Sequence, residues 1–169
     1  MSLRAEVGRL VAFASAFALL PAFSRGEEVS AGSIFVQGPA ALDVSRAVRE
    51  ATGRLQQPSC QRVLDDLTDA DGRPVRERLG ASSPEAYLAG LVLREGEIPR
   101  GSGRCASPGA AAFTAGGAAV FVCGTSFRRL SHGERANALI HEMLHTLGLR
   151  ENPPSSAEIT RRVAERCGP

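Results

Sequence analysis

His141-Glu142-Met143-Leu144-His145, running on through Thr146-Leu147-Gly148-Leu149-Arg150 to Glu151, is the stretch on which the reading of this protein turns. On a helix, positions i and i+4 share a face about one turn apart. The two imidazoles can therefore aim one nitrogen each at a single metal ion, and Glu142 can reach a water on it. Ser131 with Glu134 three residues on predicts the helix start as a capping box, and Gly148 predicts its end. On a helical wheel over 131–147, Ala136, Leu139, Ile140, Met143, Leu144 and Leu147 share one broad face. His141 and His145 lie nearly opposite its centre, which places them on a surface or in a cleft rather than in the core.

The spacing His141-Glu142-x-x-His145-x-x-Gly148-x-x-Glu151 resembles the zinc signature of the metzincins, a branch of the zincin metallopeptidases. The resemblance covers roughly residues 110–152. It implies Zn²⁺ as the cofactor, bound by His141, His145 and, at the last position, Glu151, where that family usually has His. No Met follows Met143, so the family's Met-turn has no counterpart and the resemblance narrows to a minimal zincin. In thermolysin-like zincins the third ligand is a Glu about twenty residues after the second His, where Glu165 stands. Glu165 and Glu158 lie opposite the apolar side formed by Ile159, Val163, Ala164 and Cys167, and are expected in solvent. Glu151 is therefore preferred, with Glu165 and Glu158 as the alternatives.

The function this implies is a secreted zinc metallopeptidase in which Glu142 is the catalytic general base toward a zinc-bound water. A peptide or protein substrate would add as a strand to an edge of a hairpin expected over 110–123. Tyr87, Arg128, Arg129 and His132 are possible substrate contacts, although each is more often an ordinary surface or core residue. The competing reading is a non-catalytic secreted interaction module, stabilised by disulfides, with a weak or vestigial metal site. A serine hydrolase is a poor fit because no G-x-S-x-G is present.

The rest of the sequence bears on where such an enzyme would work. All 20 basic residues are Arg, scattered among 18 acids, and the net charge of +2 argues against a nucleic-acid partner. Residues 1–24 read as a signal peptide: Arg4 and Arg9, then an apolar run from Leu10 to Leu20, then small residues near Ala22 and Ser24. The mature protein, 25–169, is expected to form one zincin-like domain, secreted or periplasmic and free of the membrane after cleavage. The four cysteines show no C-x-x-C pair, which disfavours a zinc ribbon and favours disulfides. The preferred pairing is Cys105 with Cys123, stapling neighbouring strands, and Cys60 with Cys167, tying the last helix to the first half.

These signals predict an α+β fold: a small zincin-like domain with a short antiparallel or mixed sheet packed on the active-site helix, and a C-terminal helix. Strands are expected at 34–37, 110–114 and 118–123, the last two joined around Gly116-Gly117. Helices are expected from Pro39, over 60–67, from Ser83 to about 93, and from Ser155 or Ser156 to near Cys167. The turn at 69–72 resembles a calcium loop, but Leu67 and Arg78 would occupy its end positions and neither can ligate.

Overall fold

The computed structural model describes residues 33–97 and 103–168; the expected leader at 1–24 lies outside them. The architecture is α+β. Strands β1 (Ile34–Phe35), β2 (Val92–Glu95), β3 (Ala112–Thr114) and β4 (Ala119–Val122) form one mixed sheet in the order β1-β2-β4-β3. The first three in that order run parallel, and β3 closes the edge antiparallel to β4, with Phe113 opposite Phe121. Helix α1 (Pro39–Leu55) opens with Pro at its first position, where the ring's fixed φ suits the helix and no N–H is missed.

Short helices α2 (Pro58–Gln61), α3 (Val63–Asp66) and α4 (Pro84–Ala89) follow. Then come α5 (Gly124–Arg129), α6 (His132–Thr146) and α7 (Ser156–Cys167). Helix α6 packs against α1, α7, β3 and β4, so the helix carrying both histidines lies between the sheet edge and the last helix. Its inward face buries Ala136, Leu139, Ile140, Met143 and Leu144 among Val44, Leu55, Val120 and Ile159. The Ser131 hydroxyl accepts from the Glu134 N–H, and the Glu134 carboxylate accepts from the Ser131 N–H at 2.7 Å, forming the expected capping box.

One helix boundary is corrected. Helix α4 stops at Ala89 rather than continuing to 93, because Gly90 terminates it, Leu91 enters the core just after it and Leu93 enters through β2. Strand β2 is the centre of the parallel pairing: β1 lies on one side and β4 on the other. A short run such as Leu91-Val92-Leu93 has no length over which helical and extended periodicity separate.

Both disulfides form as expected. Cys60–Cys167 ties α7 to α2. Cys105–Cys123 joins a 3₁₀ turn at Gly103–Ala106 to the residue after β4, rather than two neighbouring strands. Two disulfides point to an oxidising environment. Among the described residues no helix is long and apolar enough to cross a membrane.

The turn at 69–72 is closed on itself. Asp69 is buried and accepts from the N–H groups of Asp71 and Arg73 and from Arg78 Nε at 2.7 Å. Burial pushes the Asp69 pKa up, and the hydrogen bonds from Arg73, Arg78 and Asp71 more than reverse this.

Candidate metal centre

Helix α6 ends in a turn that shapes the site. Gly148 adopts φ +95, a left-handed conformation suited to glycine. Its N–H donates to the His145 carbonyl, and the Leu149 N–H reaches back to the Leu144 carbonyl at 3.1 Å. This paired 5→2 and 6→1 pattern is a Schellman C-cap. It folds the backbone round so that the Leu149 carbonyl meets His145 Nδ1 at 2.8 Å. Two residues on, Glu151 Oε1 lies 3.4 Å from His145 Nε2 and 3.9 Å from His141 Nε2.

The donor atoms of His141, His145 and Glu151 all lie within 4.8 Å of one another, and this group could hold a metal ion. Glu158 and Glu165 are elsewhere: both pair with Arg161 on the outer side of α7, and Glu158 also pairs with Arg162.

The partners of the imidazoles fit a cation. A carbonyl oxygen only accepts, so His145 Nδ1 carries the hydrogen and Nε2 of the neutral ring is a lone pair aimed at Glu151 and His141. His141 Nε2 stands 3.0 Å from that lone pair, and His141 Nδ1 stands 3.1 Å from the Thr160 hydroxyl. Where His145 Nε2 is the acceptor of the contact between the rings, His141 Nε2–H donates to it and Thr160 donates to Nδ1. To ligate a cation through Nε2, His141 would carry its hydrogen on Nδ1 and donate to Thr160. A hydroxyl both donates and accepts, so it supports either tautomer. Burial lowers the His141 pKa to about 4, helped by His145 and opposed by Glu151. His141 is therefore neutral at physiological pH and free to ligate, and its approach to Glu151 is not an ion pair.

Glu142 is 8 % exposed beside this group. Burial raises its pKa to about 7, and the charge of Glu151 adds to the shift. The Thr114 backbone amide and the Arg104 charge act in the opposite direction. A buried carboxyl poised near neutrality can exchange a proton at working pH.

All four residues line a cleft of about 780 Å³ between β3, α6 and α7. The Cys123 N–H donates to the Ala111 carbonyl, so strand alternation turns the N–H and C=O of Ala112 and Thr114 away from β4 toward the free edge. Arg104, Ser156 and Thr160 also line the cleft, whereas Tyr87, Arg128, Arg129 and His132 do not. Tyr87 instead bonds the Thr146 hydroxyl.

Sequence reading missed Thr160 and Arg104. For Thr160 a signal existed: Ser156, Thr160 and Ala164 are spaced by four and form one small-residue stripe of α7 along the cleft. For Arg104 none did, because it reaches the cleft from a turn held in place by a disulfide.

Thr160→Val removes the hydroxyl while keeping the shape of the side group. It is expected to weaken divalent-metal binding about 10- to 100-fold, with Thr160→Ser restoring most of the affinity. Competition against a chromophoric chelator reads this directly, and equal affinity in the Val variant would show that Thr160 does not support His141. Comparison with known proteins gives no matching family model, no similar curated sequence and no similar solved structure.

Proposed function

We propose that this protein is an exported zinc metallopeptidase of the zincin type, with His141, His145 and Glu151 as ligands and Glu142 as general base. The observation that carries the reading is the convergence of two neutral-capable imidazoles and a carboxylate beside a buried glutamate held near pH 7. Two nitrogens and one carboxylate oxygen form a donor set suited to catalytic zinc, with room left for a fourth ligand. Zinc bound there would lower the pKa of a coordinated water toward neutrality and polarise a substrate carbonyl.

The protein's own groups supply the rest. Glu142 takes a proton and returns it to the leaving amine, which its pKa of about 7 suits it to do in both directions. The outward N–H and C=O of Ala112 can pair with a peptide backbone laid along the edge of β3. The two disulfides agree with export to an oxidising compartment.

The test is elemental analysis of the protein dialysed against zinc, together with hydrolysis of a mixed peptide library. One zinc per molecule is expected, with peptide cleavage that a chelator abolishes and added zinc restores. Protein that takes up no ion from excess zinc would overturn the reading. Zinc uptake without cleavage would point instead to a non-catalytic module.

A further inference from the structure

We propose that Arg104 is a carboxylate-recognition site of the cleft, so that the preferred ligand is a peptide carrying a free carboxylate next to its paired segment. The peptidase reading supplies the reaction, but the recognition itself depends only on the geometry of Arg104.

Among the described residues lining the cleft, Arg104 is the only Arg, and no Lys accompanies it; the acidic side chains there are Glu134, Glu142 and Glu151. The Arg104 side group is held from two sides. Its NH1 donates to the Thr114 carbonyl at 2.7 Å, and its guanidinium carbon stands 5.5 Å over the Phe113 ring. Phe113 in turn stacks on Phe121 of the neighbouring strand at 5.1 Å. The next residue, Cys105, is bonded to Cys123, and Gly96 leaves room for that bridge: a Cβ at Gly96 would stand 2.8 Å from Cys105 Sγ. The turn is thus fixed to the sheet, and the exposed Arg104 side group is held at one donor and over one ring before any ligand arrives.

Which donors remain decides the ligand. With NH1 committed to Thr114, the Nε–H and the adjacent NH2 hydrogen are left as a parallel pair. That edge of a guanidinium matches the two oxygens of a carboxylate. A neutral carbonyl would use only one of the two donors.

The sheet edge supports the same conclusion. The outward carbonyl of Thr114 is taken by Arg104, and its outward amide faces Glu142. A peptide pairing with β3 can therefore use Ala112 but cannot continue its ladder past Thr114. At that point the backbone pairing gives way to the open Arg104 fork. Either the C-terminus of the peptide or an acidic residue within it can supply the carboxylate, and the chemistry of the fork is the same for both.

The test uses fluorescence anisotropy of labelled short alanine-rich peptides. One pair carries a C-terminal acid or amide, and the other carries an internal Glu or Gln with an amidated end. Each is titrated with the full mature protein, metal-free and zinc-loaded, in the Glu142→Gln background so that cleavage is slow on the timescale of the titration. At least one acid form is expected to bind about 3- to 10-fold tighter than its neutral partner, the scale of an exposed bidentate pair. The pair that shows the preference identifies the source of the carboxylate. Arg104→Gln should bring that ratio to about one, and Arg104→Lys should recover only part of it, because an ammonium lacks the fork. Melting curves of the variants establish that they are folded.

A preference that survives in Arg104→Gln, or no preference in either pair, overturns the proposal. A preference in the metal-free protein with no hydrolysis by the zinc-loaded wild type would uphold Arg104 while overturning the peptidase reading.

Discussion

On the proposed peptidase reading, Glu142→Gln is expected to lower kcat for peptide hydrolysis about 10²- to 10⁴-fold while leaving one zinc per molecule in place. The amide keeps the size of the side group and loses only the ability to take a proton. Glu142 contributes no atom to the group of His141, His145 and Glu151, so metal affinity should change little. A variant as active as the wild type would remove Glu142 from the mechanism.

The same substitution has a pH signature in the metal-free protein. The Glu142 pKa is raised by burial and by Glu151 to about 7, above its ordinary 4.5. The folded protein therefore holds that proton more tightly than the unfolded one. The resulting stabilisation is complete below about pH 4.5 and is lost as pH rises through about 7. Glu142→Gln lacks this loss, so its stability relative to wild type should rise between pH 4.5 and 7. His141 has the opposite sign: its folded pKa of about 4 lies below 6.5, and stability falls as pH drops between the two. His141 is present in both proteins, so its effect cancels in the difference. Urea midpoints at several pH values read the difference, and parallel curves would mean that Glu142 titrates normally.

The parts of the fold legible in the sequence were those set by local rules. Ser131 and Glu134 fix the start of α6 through bonds within one turn, and Gly148 fixes its end through a left-handed φ. Glu151 could be preferred over Glu158 and Glu165 because the apolar face of α7 assigns those two to solvent. The parts that were not legible depend on distant partners. Strand β2 exists because Val92–Glu95 find partners in β1 and β4, which no window around Gly90 contains. Arg104 acts on a carbonyl ten residues away across a turn. Thr160 meets His141 only because α7 folds back along α6. The geometry of the candidate site was thus readable where one helix and its cap carry it, and unreadable where tertiary contacts shape it.

Removing the Cys60–Cys167 bridge with Cys60→Ala and Cys167→Ala together is expected to cost about 4–5 kcal/mol, against about 3 kcal/mol for the corresponding Cys105 and Cys123 pair. The order follows from loop length: the first bridge closes 107 residues of sequence and the second 18, so the first removes more freedom from the unfolded state. Alanine rather than serine keeps an unpaired hydroxyl out of the buried Cys60 position. A domain of this size is stable by roughly 5–15 kcal/mol, so loss of the first bridge alone removes from about a third to nearly all of the stability of the metal-free protein. The bridge also anchors α7, which carries Thr160 against His141. An ion that binds only the folded state therefore opposes the loss: at a free concentration of 100 Kd it adds about 2.7 kcal/mol. Urea unfolding of both alanine pairs, with and without zinc, should show the Cys60/Cys167 pair as the weaker, with a zinc-dependent recovery that His145→Ala abolishes. Equal losses in the two pairs would show that the unfolded state is not what these bridges constrain, and recovery in the His145→Ala background would place the ion somewhere other than between His141, His145 and Glu151.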